Sequence, residues 1–249
     1  MTLDRAEVAK FAELGEDWWD PEGPMRPLHR LNPARLAWIR ERAVRHFGRD
    51  PAARRPLAGL TALDVGCGGG LVSEPLARLG AAVTGIDPLR RNVEVARAHA
   101  AATGLVIDYR VATLEDLLVR GERFDLVLAL EVVEHVPDAA VFVRELAAVV
   151  RPGGLVVLST LARTLRALLL GVIAAEYLLG WLPPGTHDWR RFLHPSELGR
   201  LLRAHGLVPV AVTGLAWDAA HERFLLVRDP SVNYMLAAVR PVAGGGGVG

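Results

Sequence analysis

Short apolar runs alternate with segments of helical periodicity from residue 60 onward. Apolar positions recur with helical spacing over 71–79, 91–103 and 139–150. The runs between these segments have the length and the branched residues of buried strands; they read LTALDV, GAAVTGID, LVIDYRVA, FDLVLALEVV and GGLVVLSTL. Strands that alternate with helices are typical of βαβ units. The pattern therefore predicts an α/β fold, with a mostly parallel sheet and helices on both faces.

The flanking segments complete the predicted organisation. Residues 7–19 have helical spacing, and a second helix is predicted from about Pro33, with Asn32 as its N-cap. The stretch VTGLAWDAA and the stretch from HERFLLVRD to NYMLAAVRP predict two late strands, in an antiparallel arrangement. The predicted units are an N-terminal helical cap over 1–56, an α/β domain over 57–241 and a disordered, glycine-rich tail over 242–249.

Composition excludes several classes of protein. With 51% hydrophobic residues, the chain is too apolar to be disordered. Its net charge of +1 leaves no basic excess with which to neutralise the phosphates of a nucleic acid. Cys67 is the single cysteine and cannot form an intrachain disulfide, and the first ten residues contain no apolar run. A cytoplasmic location is therefore expected.

A glycine-rich loop joins the first predicted strand to the first helix of the α/β region. Residues 64–70 read DVGCGGG, which lets the chain turn tightly and lets a ligand approach the backbone. Asp87 ends the next strand, about twenty residues after Gly66, where an acid accepts hydrogen bonds from ribose hydroxyls. Leu71 stands where a dinucleotide-binding loop has its third glycine. The loop therefore suits an adenosyl ligand without a pyrophosphate better than NAD.

The stretches LDVGCGGG, GID, FDLVLAL and RPGGLVVLST follow one another in the order found in class I S-adenosylmethionine-dependent methyltransferases, which residues 60–160 resemble. The resemblance implies a Rossmann-like fold with a seven-stranded sheet and S-adenosyl-L-methionine as the methyl donor. The implied contacts are Asp64 with the methionine amino group, Gly66 and Gly68 with the methionine moiety, Asp87 with the ribose, Leu130 in the pocket, and Thr113 and Leu114 beside the adenine.

More specific stretches lie outside this region. WWDPEGPMRPLHRLNPARLAWI, ALEVVEHVPD, GTHDWRRF and SVNYMLAAVRP occur in the order seen in the ubiquinone-biosynthesis O-methyltransferases, which residues 7–240 resemble. The resemblance implies O-methylation of a catechol-type polyprenylated precursor, 3-demethylubiquinol or 2-polyprenyl-6-hydroxyphenol. It also implies that Arg35 contacts the cofactor carboxylate. Ala162 departs from the family, which usually has asparagine there. The alternatives are a quinone-ring C-methyltransferase or another small-molecule methyltransferase of this fold, and a non-catalytic adenosine-binding protein.

Glu131, Glu134 and His135 follow the fourth predicted strand, at the sheet edge where α/β folds bind ligands. If this turn is helical, the three side chains face one side and can hold a divalent cation. Mg²⁺ is the first choice because it prefers hard oxygen ligands, and Zn²⁺ is the second. A bound Mg²⁺ would stabilise a catecholate. Otherwise His135 or Glu131 acts as a general base, or the acids only favour a helix N-terminus.

An apolar segment over 165–182, LRALLLGVIAAEYLLGWL, is long enough to raise the question of a membrane. Arg166 and Glu176 lie inside it and disfavour a membrane-spanning helix. Because a polyprenylated substrate stays in the bilayer, residues 163–184 of an insertion over 162–185 are expected to bind the inner-membrane surface peripherally. A buried core helix is the alternative. The expected partners are the polyprenylated phenol or quinol, the membrane surface and a ubiquinone-biosynthesis protein complex, without nucleic acid.

Three further features have two interpretations each. Trp18 and Trp19 close the substrate site or only pack the N-terminal helix. His187 and Asp188 lie near the active site or hydrogen-bond locally. Cys67 is interpreted as a small buried residue rather than a nucleophile, since no histidine stands near it in the sequence.

Overall fold

Eight strands form one mixed sheet in this protein, whose computed structural model describes residues 17–164, 166–167 and 189–242. The strands are β1 (Thr61–Val65), β2 (Ala82–Asp87), β3 (Asp108–Val111), β4 (Phe124–Leu130), β5 (Val150–Leu161), β6 (Val208–Asp218), β7 (Arg223–Val227) and β8 (Asn233–Val239). Their order in the sheet is β3-β2-β1-β4-β5-β8-β6-β7. Strands β1 to β5 pair in parallel, and β8, β6 and β7 add an antiparallel extension.

Helices cover both faces of the sheet. In the described residues they are α1 (Arg26–His46), α2 (Ser73–Arg78), α3 (Arg90–Ala102), α4 (Leu114–Val119), α5 (Ala139–Val149) and α6 (Pro195–Ala204), with 3-10 turns at Asp17–Trp19 and Trp189–Arg191. The apolar side chains of α1 and α2 share one core cluster with Leu126 and Leu128 of β4. Those of α4, α5 and α6 share another with Val127 and Ala129. Because β4 is buried on both faces, its sequence over 126–130 is a continuous apolar run.

The parallel α/β architecture predicted from the apolar pattern is confirmed. The helices predicted over 71–79, 91–103 and 139–150 correspond to α2, α3 and α5, and the five early runs all contain strands. The late part of the prediction is wrong in one respect, since the sheet has eight strands rather than seven. Pro230 has no N–H to donate, and Asp229 accepts from the Ser231 N–H in a turn, so the stretch predicted as one strand divides into β7 and β8.

The start of α1 also differs from the prediction. The helix begins at Arg26 rather than near Pro33, because Pro27 lies in the first turn, where its missing N–H leaves no hydrogen bond unmade. Pro33 is inside the helix, and Asn32 is a buried helical residue instead of an N-cap. The predictions for residues 7–16, for most of the apolar segment and for the tail after 242 lie outside the described residues.

None of the helices in the described ranges combines the length and the apolar content needed to cross a membrane.

Candidate active site

The glycine loop follows β1 and turns at the carboxyl edge of the sheet, directly beside the end of β2. Gly66, Gly68 and Gly70 all have positive φ, at 70°, 52° and 91°, which explains why glycine stands at these positions. The N–H of Gly66 donates to the carbonyl oxygen of Ile86 at 2.8 Å, so the loop is tied to the neighbouring strand. Cys67 is buried in an apolar cluster, as predicted.

Asp87 lies against this loop. One carboxylate oxygen, Oδ2, accepts from the N–H of Gly68 at 3.0 Å. The other, Oδ1, accepts from the N–H of Leu89 at 2.9 Å and from the side-chain amide of Asn92 at 3.2 Å. Burial raises the pKa of Asp87, and these three hydrogen bonds oppose the rise because they favour the carboxylate. The structure therefore brings the predicted ribose acid to the predicted loop, in a fixed orientation.

Asp64, at the end of β1, lies beneath the same loop. Its carboxyl group is buried and accepts from the hydroxyl of Ser73 at 2.6 Å, at the first residue of α2. Burial raises the pKa of Asp64 to about 6, with the charge of Asp87 adding to the rise and the Ser73 hydroxyl opposing it. Asp64 and Asp87 are therefore two buried carboxyl groups near the carboxyl ends of adjacent parallel strands.

Arg35 enters this edge of the sheet from α1. Its side chain is almost fully buried, and its Nη1 lies 3.5 Å from Oε1 of Glu131 and 3.5 Å from the hydroxyl oxygen of Ser159. The Ser159 hydroxyl in turn donates to Glu131 Oε1 at 2.7 Å. Burial lowers the pKa of Arg35, while the charges of Glu131, Glu134 and Asp64 raise it. The contacts among Arg35, Glu131 and Ser159 therefore connect α1 to the ends of β4 and β5.

Glu131 and Glu134 form the acidic part of the site. Glu131 follows β4 with φ 54°, a left-handed conformation that is uncommon outside glycine, asparagine and aspartate. Glu134 is buried, and neither of its oxygens has a hydrogen-bond partner of good geometry in the described residues. Burial raises the pKa of Glu134 well above its ordinary value, and the adjacent charge of Glu131 raises it further. The buried surroundings of Glu134 therefore favour the neutral form of its carboxyl group.

The turn that contains Glu131 and Glu134 is not helical, whereas the predicted three-ligand metal site depends on a helical turn here. The N–H of His135 donates to the carbonyl oxygen of Val132 in a tight turn. Glu131, Glu134 and His135 do not form a three-ligand group, and no cluster of three or more potential metal-ligating side chains exists in the ranges described. The left-handed conformation of Glu131 sets its side chain in a direction that a helical turn would not give.

The other residues that are predicted to contact the cofactor lie at the same edge of the sheet, and each also has a structural role. Leu130 is the half-buried last residue of β4. Thr113 follows β3 and caps α4, with its N–H and hydroxyl both donating to Asp116 at 2.8 and 3.0 Å. Leu114 is fully buried in the core. His187 and Asp188 lie outside the described residues.

Several site residues were not identified from the sequence. Ser73 and Asn92 each hydrogen-bond a buried carboxylate, Ser159 hydrogen-bonds the half-buried Glu131, and nothing in their local sequence marks that role. Trp18 and Trp19 both pack against the glycine loop, and their closing of the substrate site stays a prediction. The proximity of the two tryptophans to the loop depends on how the chain before α1 folds back, which no local pattern predicts.

Comparison with known proteins agrees with this geometry. A family profile described as a methyltransferase domain matches residues 63–158. The ubiquinone biosynthesis O-methyltransferase of Methylobacterium sp. (strain 4-46) is 54% identical over 242 residues, which are 97% of this chain and 97% of that protein. The protein of the same name from Rhizobium etli is 48% identical over 240 residues, covering 96% of this chain and 97% of the relative.

Solved structures share the fold at lower identity. Magnesium protoporphyrin IX methyltransferase from Synechocystis with bound S-adenosylmethionine has a TM-score of 0.61 and 20% identity, covering 96% of this chain and 99% of that chain. The N-methyltransferase NodS from Bradyrhizobium japonicum has a TM-score of 0.60 and 17% identity, covering 95% and 97%. These likenesses confirm the class I methyltransferase fold. Together with the identity to the full-length relatives, they show that the chain belongs to the ubiquinone biosynthesis O-methyltransferase family of S-adenosylmethionine-dependent enzymes.

Proposed function

We propose that the enzyme transfers a methyl group from S-adenosylmethionine to a hydroxyl oxygen of a catechol-type polyprenylated precursor, 3-demethylubiquinol or 2-polyprenyl-6-hydroxyphenol. One observation carries the proposal: the glycine loop, Asp87, Asp64, Arg35 and Glu131 all converge at the carboxyl edge of one sheet. The names of relatives that are 48–54% identical support the substrate class.

In this proposal each end of the cofactor has a matching group. Asp87 holds the ribose through its two oxygens, and Asp64 faces the methionine amino group. Arg35 pairs with the methionine carboxylate, since a guanidinium forms strong charge-assisted hydrogen bonds to carboxylates. The remaining assignments are Gly66 and Gly68 against the methionine moiety, Leu130 in the pocket, and Thr113 and Leu114 beside the adenine.

The reaction needs a base and an aligned methyl group. A substrate hydroxyl gives up its proton, its oxygen attacks the methyl carbon, and the sulfonium leaves as a neutral thioether. The protein contributes positioning and electrostatics to this step. Glu131 is the better placed proton acceptor of the two acids, because 21% of its side chain is exposed whereas Glu134 is buried. His135, on the same turn, is the alternative base.

We propose a smaller Mg²⁺ site in which Glu131 and Glu134 are the only protein ligands. This ion commonly binds one or two carboxylates and takes its other ligands from water and substrate oxygens. Glu131 and Glu134 are adjacent, and the unpaired oxygens of Glu134 are the donors that such an ion requires. The two carboxylates fit Mg²⁺ without His135, whereas Zn²⁺ would need the imidazole. When bound, Mg²⁺ would stabilise the catecholate and orient its two oxygens.

Peripheral membrane association stays a proposal as well. Residues 163–184 lie mostly outside the described residues, but two arginines at their start are visible. Arg163 pairs with Glu197, and Arg166 pairs with Asp229. Both charges are therefore already compensated within the chain, which weakens the expectation that they bind anionic headgroups. The support that remains is the apolar content of the segment and a substrate that stays in the bilayer.

The proposed reaction is tested by mass spectrometry of products. Purified enzyme is incubated with S-adenosylmethionine and a short-chain catechol substrate, and fragmentation locates the added methyl group. We expect methylation of oxygen and release of one S-adenosylhomocysteine per product. Methylation of ring carbon would establish the alternative C-methyltransferase, and cofactor binding without turnover of any catechol or quinol would favour a non-catalytic adenosine-binding protein.

Asp87→Ala is expected to weaken S-adenosylmethionine binding by about 1.5–3 kcal/mol, because charge-assisted hydrogen bonds to the ribose are lost. Isothermal titration calorimetry measures the effect. Asp108→Ala is the matched control, since it removes an exposed acid from the start of β3 at the opposite edge of the sheet. Unchanged affinity in Asp87→Ala would contradict the ribose assignment.

Exhaustive chelation with EDTA is expected to lower activity, and added Mg²⁺ is expected to restore it, because an adjacent pair of carboxylates is suited to this ion. Parallel samples with Zn²⁺ identify the preferred metal. Glu131→Gln should raise the Mg²⁺ concentration that is needed for half-maximal activity. Full activity after chelation would exclude the metal and leave Glu131 or His135 as the base.

Leu169→Glu combined with Ile173→Glu is expected to abolish flotation of the protein with anionic liposomes, since charges in the apolar segment oppose insertion. Thermal unfolding and calorimetry with S-adenosylhomocysteine are measured on the same protein and should be unchanged. If the two substitutions unfold the protein, the segment belongs to the core and the membrane proposal is wrong.

A further inference from the structure

Trp18 is buried although it precedes the first long helix, and its indole lies on the glycine loop. A Cβ atom added at Gly68 or Gly69 would overlap the ring. Met25 and Leu71 pack with Trp18 in one apolar cluster. The contact is close along both glycines, so the indole fixes the position of the loop backbone against which the cofactor is proposed to lie.

The indole N–H of Trp18 also reaches the ribose acid through one intermediate. It donates to Oδ1 of Asn92 at 3.3 Å, and Nδ2 of Asn92 donates to Oδ1 of Asp87 at 3.2 Å. Because Asn92 accepts from Trp18 with its oxygen, its amide is oriented with the NH₂ group toward the carboxylate. All three side chains are buried, so water does not replace either hydrogen bond at little cost.

Neighbouring contacts hold Trp18 in this place. Its carbonyl oxygen lies 2.9 Å from Nε2 of His29 in α1. Trp19 donates its indole N–H to the carbonyl oxygen of Gly69 at 2.9 Å and stacks on His99, with ring centroids 3.5 Å apart. His99 is paired at 2.6 Å with Glu74, which is buried. The two tryptophans are therefore attached to α1, to α3 and to the loop at once.

We propose that Trp18 is a positioning residue of the cofactor site, which orients Asp87 through Asn92 and fixes the glycine loop beneath its ring. The proposal rests on the assignment of Asp87 to the ribose. It differs from simple packing of the N-terminal segment in a measurable way: packing affects stability, whereas positioning affects cofactor affinity through Asp87. Trp18 acts on binding rather than on the methyl transfer, so KM for the cofactor should change more than kcat.

The test uses Trp18→Phe, which keeps an aromatic ring at this position but removes the indole N–H together with the outer part of the indole that contacts Gly68. We expect S-adenosylhomocysteine to bind about three- to tenfold more weakly, the range for one buried hydrogen bond, with kcat at saturating cofactor nearly unchanged. Trp217→Phe is the matched control, because Trp217 packs on Phe224 in the β6–β7 ribbon, and its affinity should equal that of the wild type. Asn92→Ala breaks the same connection from its other end and should reproduce the loss.

A double-mutant cycle with Asp87→Asn distinguishes the failures. If Trp18 acts through Asp87, Trp18→Phe should change the affinity less than about twofold in the Asp87→Asn background. If Trp18→Phe loses the same affinity in both backgrounds, the positioning role alone is overturned. The same conclusion follows if Trp18→Phe and Asn92→Ala both bind S-adenosylhomocysteine with wild-type affinity while Asp87→Asn binds it weakly. Wild-type affinity in Asp87→Asn would instead overturn the ribose assignment, and the connection to Trp18 with it.

Discussion

The buried guanidinium of Arg35 is the charge on which the arrangement of this site depends. A buried ion without a partner costs several kcal/mol, so α1 can bring Arg35 to the sheet edge only if acids meet it there. Glu131 supplies that partner from a left-handed conformation, and Ser159 holds the Glu131 carboxylate in place. The positive charge thus ties the N-terminal helix to the ends of β4 and β5, and strain at Glu131 is stabilised by the same contacts.

The site nevertheless contains more acidic than basic side chains, which fits the positive charge of the proposed methyl donor. Burial raises the pKa of Asp64, Asp87 and Glu134, so ionisation of each carboxyl group is unfavourable in free energy. S-adenosylmethionine carries a sulfonium and an ammonium group, and its arrival would favour the ionised acids. Methyl transfer turns the sulfonium into a neutral thioether, so the attraction falls once the reaction is complete. The same electrostatics would thereby assist binding of the donor and release of its product.

The sequence predicted those features that depend on local pattern. Continuous apolar runs identified the parallel strands, and the glycine run over 66–70 with Asp87 at the next strand end located the loop and its acid. The prediction from sequence was wrong where tertiary packing decides the local conformation. The sequence predicts a helix start near Pro33, whereas α1 extends across it, and the three-ligand metal site depends on a helical turn after β4 that the backbone of Glu131 does not form. The contacts of Trp18 and Asn92 join segments 74 residues apart, beyond any periodicity.

The central claim is that Arg35 joins the N-terminal helix to the cofactor site and pairs with the methionine carboxylate. Calorimetry of Arg35→Met with two probes, S-adenosylhomocysteine and adenosine, tests it most directly, because only the first probe has that carboxylate. The account predicts a loss of at least about tenfold for S-adenosylhomocysteine, the size of a charge-assisted hydrogen bond, with adenosine binding nearly unchanged. Equal losses for both probes in a folded protein, or no loss for either, would contradict it.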